Sequence, residues 1–230
     1  MNISIYVLNY KNSERKQKMI ERCKNLDYKL DHGIEVTDDY LLTCENINSS
    51  DYPEINFKDF SCMLGHLKIL KDFYNNSIND YAIIMEDDVY IHNNFIDLLP
   101  NILKDFRFLK LDILLLSYLI NIPPHNYGSK IHENLDFNYY SFHNELWGTQ
   151  MYLVSKDYAK FLIDKYKIIN KLENKFSEPF AADWTITKNG KRALIYPPLA
   201  VEEGEINSTH QGQINFHRSC KEFLYNENYN

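Results

Sequence analysis

The chain has 230 residues, 44% hydrophobic and 25% charged, which fits one sizeable folded unit and excludes disordered and fibrous classes. Its formal net charge of −7 argues against a nucleic-acid-binding face, yet leaves room for a phosphate-bearing ligand held through a metal. The four cysteines, Cys23, Cys44, Cys62 and Cys220, show no Cys-x-x-Cys spacing, so reduced thiols are expected rather than a zinc or redox pair.

In chain order, residues 3–8 are a short apolar run that predicts a buried first strand. Ser13 then caps a helix carrying Met19, Ile20, Cys23 and Leu26 on one side. Residues 31–56 are polar, contain Pro53 and read as irregular. Phe60, Met63, Leu64, Leu67, Leu70 and Phe73 recur at helical spacing over residues 57–74. The strand 81–85 runs straight into Glu86-Asp87-Asp88. A helix through Phe95, Leu99, Ile102 and Phe106 leads to the apolar strand 113–116. Residues 121–146 read as loop, 148–154 as strand, 156–169 as a helix capped by Ser155, and 193–196 as a short strand before Pro197-Pro198. Continuously apolar strands alternating with amphipathic helices predict an α/β fold with a mostly parallel central sheet. Residues 1–230 read as one domain, with a polar segment of about 199–230 folding over the site.

No apolar stretch is long enough for a membrane span; the longest, from Leu109 to Pro123, is broken by Lys110 and Asp112. The opening residues lack a basic region and a small-residue cleavage site, so no signal peptide is expected. A cytosol-like location is the corresponding expectation. The richness in Asn, Ile, Lys and Tyr suggests an AT-rich genome, such as that of a giant virus or an AT-rich microbe, with the virion or infected host cell as the setting in the viral case.

The acidic triplet carries the most chemistry. In open α/β sheets, ligands bind beyond the carboxyl ends of the strands. Alternation along the strand puts Glu86 and Asp88 on one side, a spacing suited to Mn(II) or Mg(II), which take oxygen ligands and leave positions open for a diphosphate. Taken alone, the triplet is equally a solvated acidic turn.

Five segments stand in order along the chain: Tyr6-Val7-Leu8-Asn9 with Ser13-Glu14-Arg15-Lys16, Ser61 to Leu67, Ala82 to Val89, Gly148 to Ser155, and Ala182-Asp183-Trp184. Together they resemble glycosyltransferase family 25, which groups lipooligosaccharide and collagen hydroxylysine galactosyltransferases. Tyr6-Val7-Leu8-Asn9 with Ser13-Glu14-Arg15-Lys16 is similar to the family's opening strand and turn. Ser61-Cys62-Met63-Leu64-Gly65-His66-Leu67 resembles its Cys-x-x-Ser-His-Leu helix, with Gly65 in place of Ser. Ala82 to Val89 resembles its Glu-Asp-Asp-Val motif, Gly148 to Ser155 its Gly-Thr-x-x-Tyr-x-x-Ser strand and cap, and Ala182-Asp183-Trp184 its Val-Asp-Trp.

The resemblance implies a GT-A type, Rossmann-like fold and a metal-dependent, inverting transfer of galactose or glucose from a UDP-sugar to a glycan or protein hydroxyl. It implies Asp88 as metal ligand, with Glu86 and Asp87 on the metal, its waters or the ribose. His210 or His217 would complete the metal shell. Val7, Asn9, Arg15, His66, Trp147, Gly148 and Thr149 are the expected lining of the donor pocket. Asp183, beside Trp184, is the expected base that takes the acceptor proton, with Glu203 as the alternative. Two other readings stay open. A nucleotidyltransferase-like enzyme would want a glycine-rich loop after the first strand, which is missing. A catalytically inactive relic of the fold would bind carbohydrate or nucleotide only.

Overall fold

A computed structural model describes residues 3–37, 57–166, 180–204 and 211–230. Its centre is an eight-stranded sheet built from β1 (Ile3–Leu8), β2 (Tyr28–Lys29), β3 (Tyr81–Glu86), β5 (Ile113–Leu119), β6 (Lys130–Glu133), β7 (Asn138–Tyr140), β8 (Trp147–Ser155) and β9 (Arg192–Tyr196). Two short strands, β4 (Val89–Ile91) and β10 (Ala200–Glu202), form a separate antiparallel ribbon. The order across the large sheet is β2-β1-β3-β8-β5-β9-β7-β6. β1 pairs in parallel with β2 and β3, and β5 with β9, while β8 runs antiparallel between β3 and β5. The sheet is therefore mostly parallel in direction, with β8 and β7 the strands that run against it.

Alternation along the strands explains why they read as continuously apolar. Tyr6, Leu8, Ala82, Ile84, Tyr152, Val154 and Leu115 face one layer, formed by α2 (Phe57–Asn76) and α4 (Lys156–Tyr166) through Met63, Leu70, Phe73, Tyr158 and Leu162. Ile5, Val7, Ile83, Met85, Leu114, Leu116, Met151 and Leu153 face the other, formed by α1 (Ser13–Arg22) and α3 (Phe95–Phe108) through Met19, Leu99, Ile102 and Phe106. With both faces covered, no polar face survives to mark the strand period. Phe73 is fully buried in the first layer; truncating such a side chain to Ala costs about 3–5 kcal/mol.

Several local expectations are corrected. Asn12, not Ser13, caps α1: its side chain accepts from Arg15 N at 3.1 Å. Ser155 does cap α4, accepting from Tyr158 N at 3.2 Å. Residues 121–146 are not all loop, for they contain the β6–β7 hairpin that extends the sheet beyond β9. Its turn is set by Asn134, whose Oδ1 accepts from Asp136 N and Phe137 N. The terminal segment is helical over α6 (Gln211–Leu224), after the short helix α5 (Ala182–Thr185). Beyond α6 the chain returns to β4, where Ile91 and Asn230 exchange backbone hydrogen bonds of 2.8 and 3.0 Å. Of the irregular segment expected over 31–56, residues 38–56 lie outside the described residues, as do 167–169 of the helix expected to follow Ser155.

Candidate active site

The carboxyl ends of β1 and β3 are adjacent because the two strands pair in register, Leu8 opposite Glu86. The residues that follow them meet at once. Asn9 Nδ2 donates to Asp87 Oδ2 at 2.5 Å. Arg15, one turn into α1 and held by the Asn12 cap, donates from one guanidinium nitrogen to Asp87 Oδ1 at 3.1 Å and Asp88 Oδ2 at 3.0 Å. The strand ends at Glu86, and residues 87–88 form a turn. Strict alternation therefore gives way to a split in which Asp87 and Asp88 share Arg15, while Glu86 points to α2 and β8.

On that side Thr149 Oγ1 donates to Glu86 Oε1 at 2.8 Å and lies 3.3 Å from Asp183 Oδ1. Asp183 Oδ1 also accepts from Gly148 N at 2.8 Å. Gly148 is needed for the strand packing: a Cβ there would lie 2.7 Å from Tyr118 Cβ and 3.0 Å from Tyr118 Cα. His66, fully buried on α2, has Nδ1 3.1 Å from Tyr152 Oη and Nε2 3.5 Å from Glu86 Oε1. Glu86 keeps 22% of its side chain exposed.

So many carboxylates in one place must move one another's proton affinities. Burial, then Glu86 and Glu202, pushes Asp88 well above the usual carboxylate range despite Arg15. Burial also raises Asp87, with Arg15 and Asn9 pulling the other way. For Glu86 burial acts upward, but His66, Thr149 and Arg15 outweigh it and leave the group below its ordinary value. Asp183 is pushed up to about 6 by burial and by Glu86, against the Gly148 N–H, Lys188 and Thr149. Lys188, whose ammonium sits 5.3 Å from the Trp184 ring centroid and donates to Leu146 O, is lowered to about 8 by burial.

The remaining expected site residues fall as follows. Val7 is fully buried in the layer beneath α1 and α3. Glu203 is buried, with Oε1 2.6 Å from Arg22 and Oε2 3.8 Å from Lys18, and its N–H donates to Asp88 O at 2.7 Å. Trp147 is half-buried, its ring 6.4 Å from Phe216 on α6. His217 on α6 has Nδ1 2.8 and 2.9 Å from the two carboxylate oxygens of Glu202. His210 lies outside the described residues.

Beside the triplet opens a cavity of about 440 Å³, whose lining includes Tyr10, Gly33, Phe57, Cys62, Glu86 and Asp87. A second, of about 340 Å³, lies against Asn9, Asn12, Lys16 and Gly33. Gly33 lets its backbone lie on the end of β1, since a Cβ would come within 2.4 Å of Asn9 O. Sequence reasoning missed Arg22 as the partner of Glu203, and the Glu202–His217 pair that joins β10 to α6. Arg22 lies two turns along the same helix face as Arg15, a spacing that was readable. The Glu202–His217 pair depends on a helix whose apolar stripe, Phe216, Cys220 and Leu224, is too thin to announce itself.

A mostly parallel sheet between helical layers, with an acidic turn at the carboxyl end of β3 opening on a cavity, is a fold of the GT-A type. The model of glycosyltransferase family 25 (LPS biosynthesis protein) matches residues 2–183, and the chain belongs to that family. Among solved structures it is similar to a glycosyltransferase involved in the glycosylation of the major capsid of PBCV-1. That likeness has 12% identity and a TM-score of 0.50 and covers 94% of this chain and 99% of that one. A mannose-1-phosphate geranyltransferase from Thermus thermophilus is similar at 10% identity and a TM-score of 0.50, over 85% of this chain and 74% of that one. At such identities the likeness is one of fold. No curated protein matches the sequence. Among the described residues no helix is long and apolar enough to cross a membrane.

Proposed function

We propose that this enzyme transfers a hexose, galactose or glucose, from a UDP-sugar to a hydroxyl of a glycan or protein acceptor with inversion at the anomeric carbon. The observation that carries the donor side is Asp88. Its Oδ2 is held by Arg15, while its Oδ1 is buried with no hydrogen-bond partner, at the carboxyl end of β3 beside the larger cavity. A buried carboxylate oxygen without a donor calls for a cation, and an oxygen ligand suits Mn(II) or Mg(II). Asp88 would hold that ion through Oδ1, with Asp87 kept in place by Asn9 and Arg15; Glu86, although turned toward Thr149 and His66, and a histidine, His210 or His217, are the further candidate ligands. When bound, the ion neutralises the diphosphate leaving group as a Lewis acid.

The cavity from Tyr10 and Gly33 to Phe57 supports a place for the nucleoside, with Asn9 and Arg15 holding the acidic turn beside it. Asp183 supports the acceptor side. Its oxygen is held by the Gly148 N–H and stands beside Thr149, and Trp184 offers a ring on which a sugar can stack. With its proton affinity raised to about 6, Asp183 is ionised at neutral pH yet basic enough to take the acceptor hydroxyl proton. Glu203, tied to Arg22, is less suited to that task. The richness in Asn, Ile, Lys and Tyr supports an AT-rich source genome, that of a giant virus or an AT-rich microbe.

A second reading is favoured by Arg15 itself. Because it already pairs with two of the three carboxylates, it would serve as the counter-charge in a metal-independent site. Calorimetric titration of UDP with Mn(II), with EDTA and with Asp88→Ala separates the two. Binding that needs the metal and is lost in the variant is expected. Equal affinity in EDTA would overturn the metal assignment, and no binding under any condition would overturn the donor assignment.

A further inference from the structure

On the α2 side of Glu86 lies a second group of ligating atoms with a different chemistry. Cys62 and His66 are four residues apart on α2, so both side chains project from the same face of the helix, toward the end of β3. Cys62 Sγ, a ring nitrogen of His66 and a carboxylate oxygen of Glu86 all lie within 4.8 Å of one another. His66 is fully buried, and its Nε2 has no hydrogen-bond partner. At 3.5 Å from Glu86 Oε1 that nitrogen is beyond normal hydrogen-bonding distance. The other ring nitrogen, Nδ1, is 3.1 Å from Tyr152 Oη, which fixes the ring with Nε2 toward the cluster.

We propose that Cys62, His66 and Glu86 form a binding site for a borderline-soft divalent cation of the Zn(II) class, set apart from the site proposed at Asp88 by its thiolate ligand. A thiolate, an imidazole and a carboxylate are the ligands that Zn(II) takes in tetrahedral sites, and three protein ligands leave a fourth position open. Cys62 and Glu86 both line the larger cavity, which supplies an entry path and a place for the fourth ligand. Zn–S and Zn–N bonds of about 2.3 and 2.0 Å require the three groups to draw slightly closer than they stand now. Binding is not a redox event: a metal–sulfur bond forms, the S–H bond breaks and its proton leaves to solvent. Because Glu86 is a candidate ligand in both sites, the ion would compete with any role of Glu86 toward the donor.

The test begins with chelator-treated full-length protein titrated with Co(II) in the absence of nucleotide. We expect a thiolate-to-cobalt charge-transfer band that saturates at one ion per chain, is abolished by excess Zn(II), is retained in Asp88→Ala and is lost in Cys62→Ser. Tyr152→Phe should weaken Co(II) binding by about 10–100-fold, because it frees the imidazole that the tyrosine orients. No band in the wild type, or a band that survives in Cys62→Ser, overturns the proposal. Should Cys62→Ser fail to fold, alkylation of the wild type read by mass spectrometry decides: Zn(II), but not Mg(II), should protect Cys62, and equal labelling with both ions overturns the site. These readouts use no UDP, so they stand or fall apart from the donor assignment.

Discussion

Asn9 and Asp87 are bonded side chain to side chain, 78 positions apart in sequence, at the matched ends of β1 and β3. The contact joins the first strand to the acidic turn, and Arg15 closes it from α1 by taking the other oxygen of the same carboxylate. Burial of Asp87 is therefore compensated on both oxygens, whereas Asp88 is compensated on one.

Arg15→Ala should leave Asp87 and Asp88 in a buried setting without their cation. Arg15 is itself 32% exposed, so the loss is that of a partly screened pair, about 1–3 kcal/mol in urea denaturation at neutral pH. The deficit should shrink in acid, where both carboxyls are protonated and need no counter-charge. A loss that stays constant from pH 4 to 8 would mean that Arg15 stabilises through packing alone.

Asp183 has a folded-state proton affinity near 6, above its ordinary 3.8, so the folded protein holds this proton longer than the unfolded chain does. The stability it contributes is full below about 3.8 and is lost as pH rises through about 6. Asp183→Asn should therefore compare progressively better with wild type in denaturation as pH rises from 4 to 7. As a base Asp183 must be ionised, so kcat/KM should climb through about pH 6, and the Asn variant should lose at least about a hundredfold in kcat. A flat pH profile with an active variant would make Asp183 a purely structural residue.

Glu203→Ala distinguishes the alternative base from a structural ion pair. Removing it strands Arg22, which is 12% exposed, beside Val89 O, and about 3 kcal/mol of stability should go with it. At a temperature where the variant is folded, kcat should stay within a few-fold of wild type. A large fall in kcat without a fall in stability would transfer the base assignment to Glu203.

Gly148→Ala forces a methyl group into Tyr118 at a contact that includes backbone, so β8 and β5 must separate. Overpacking of this kind costs about 1–3 kcal/mol, seen as a lower Tm. Since the Gly148 N–H holds Asp183, the same variant should shift the pH–rate profile. An unchanged profile alongside a lowered Tm would confine the glycine to packing.

Much of the fold was legible in the sequence because its strands are apolar throughout and its helices carry broad stripes. Phe95, Leu99, Ile102 and Phe106 announce α3, and the run from Ile113 to Leu116 announces β5. The β6–β7 hairpin was not, since Lys130, Ile131 and Glu133 are exposed on a sheet edge and the core contacts come from Phe137, Tyr139 and the partly buried Tyr140. The acidic triplet and its neighbours Asn9 and Arg15 were legible as a group, but not the split that sends Glu86 one way and the two aspartates another. That split arises from the turn at 87–88, which resets the strand period. Cys62 and His66 are legible as neighbours one helical turn apart, but their approach to Glu86 depends on how α2 packs against the end of β3, which spacing along the chain does not give.

Thr149 has one hydroxyl proton and two carboxylates within reach. At 2.8 Å against 3.3 Å that proton belongs to Glu86, which leaves the Thr149 oxygen lone pairs facing Asp183. Once Asp183 gains a proton, its O–H can point at Thr149 and complete a head-to-tail chain from Asp183 through Thr149 to Glu86. When it loses the proton the chain is broken at one end, and two negative oxygens confront each other across a single hydroxyl. The charge state of Asp183 is thereby written onto Glu86 through a single hydroxyl, without any movement of the backbone.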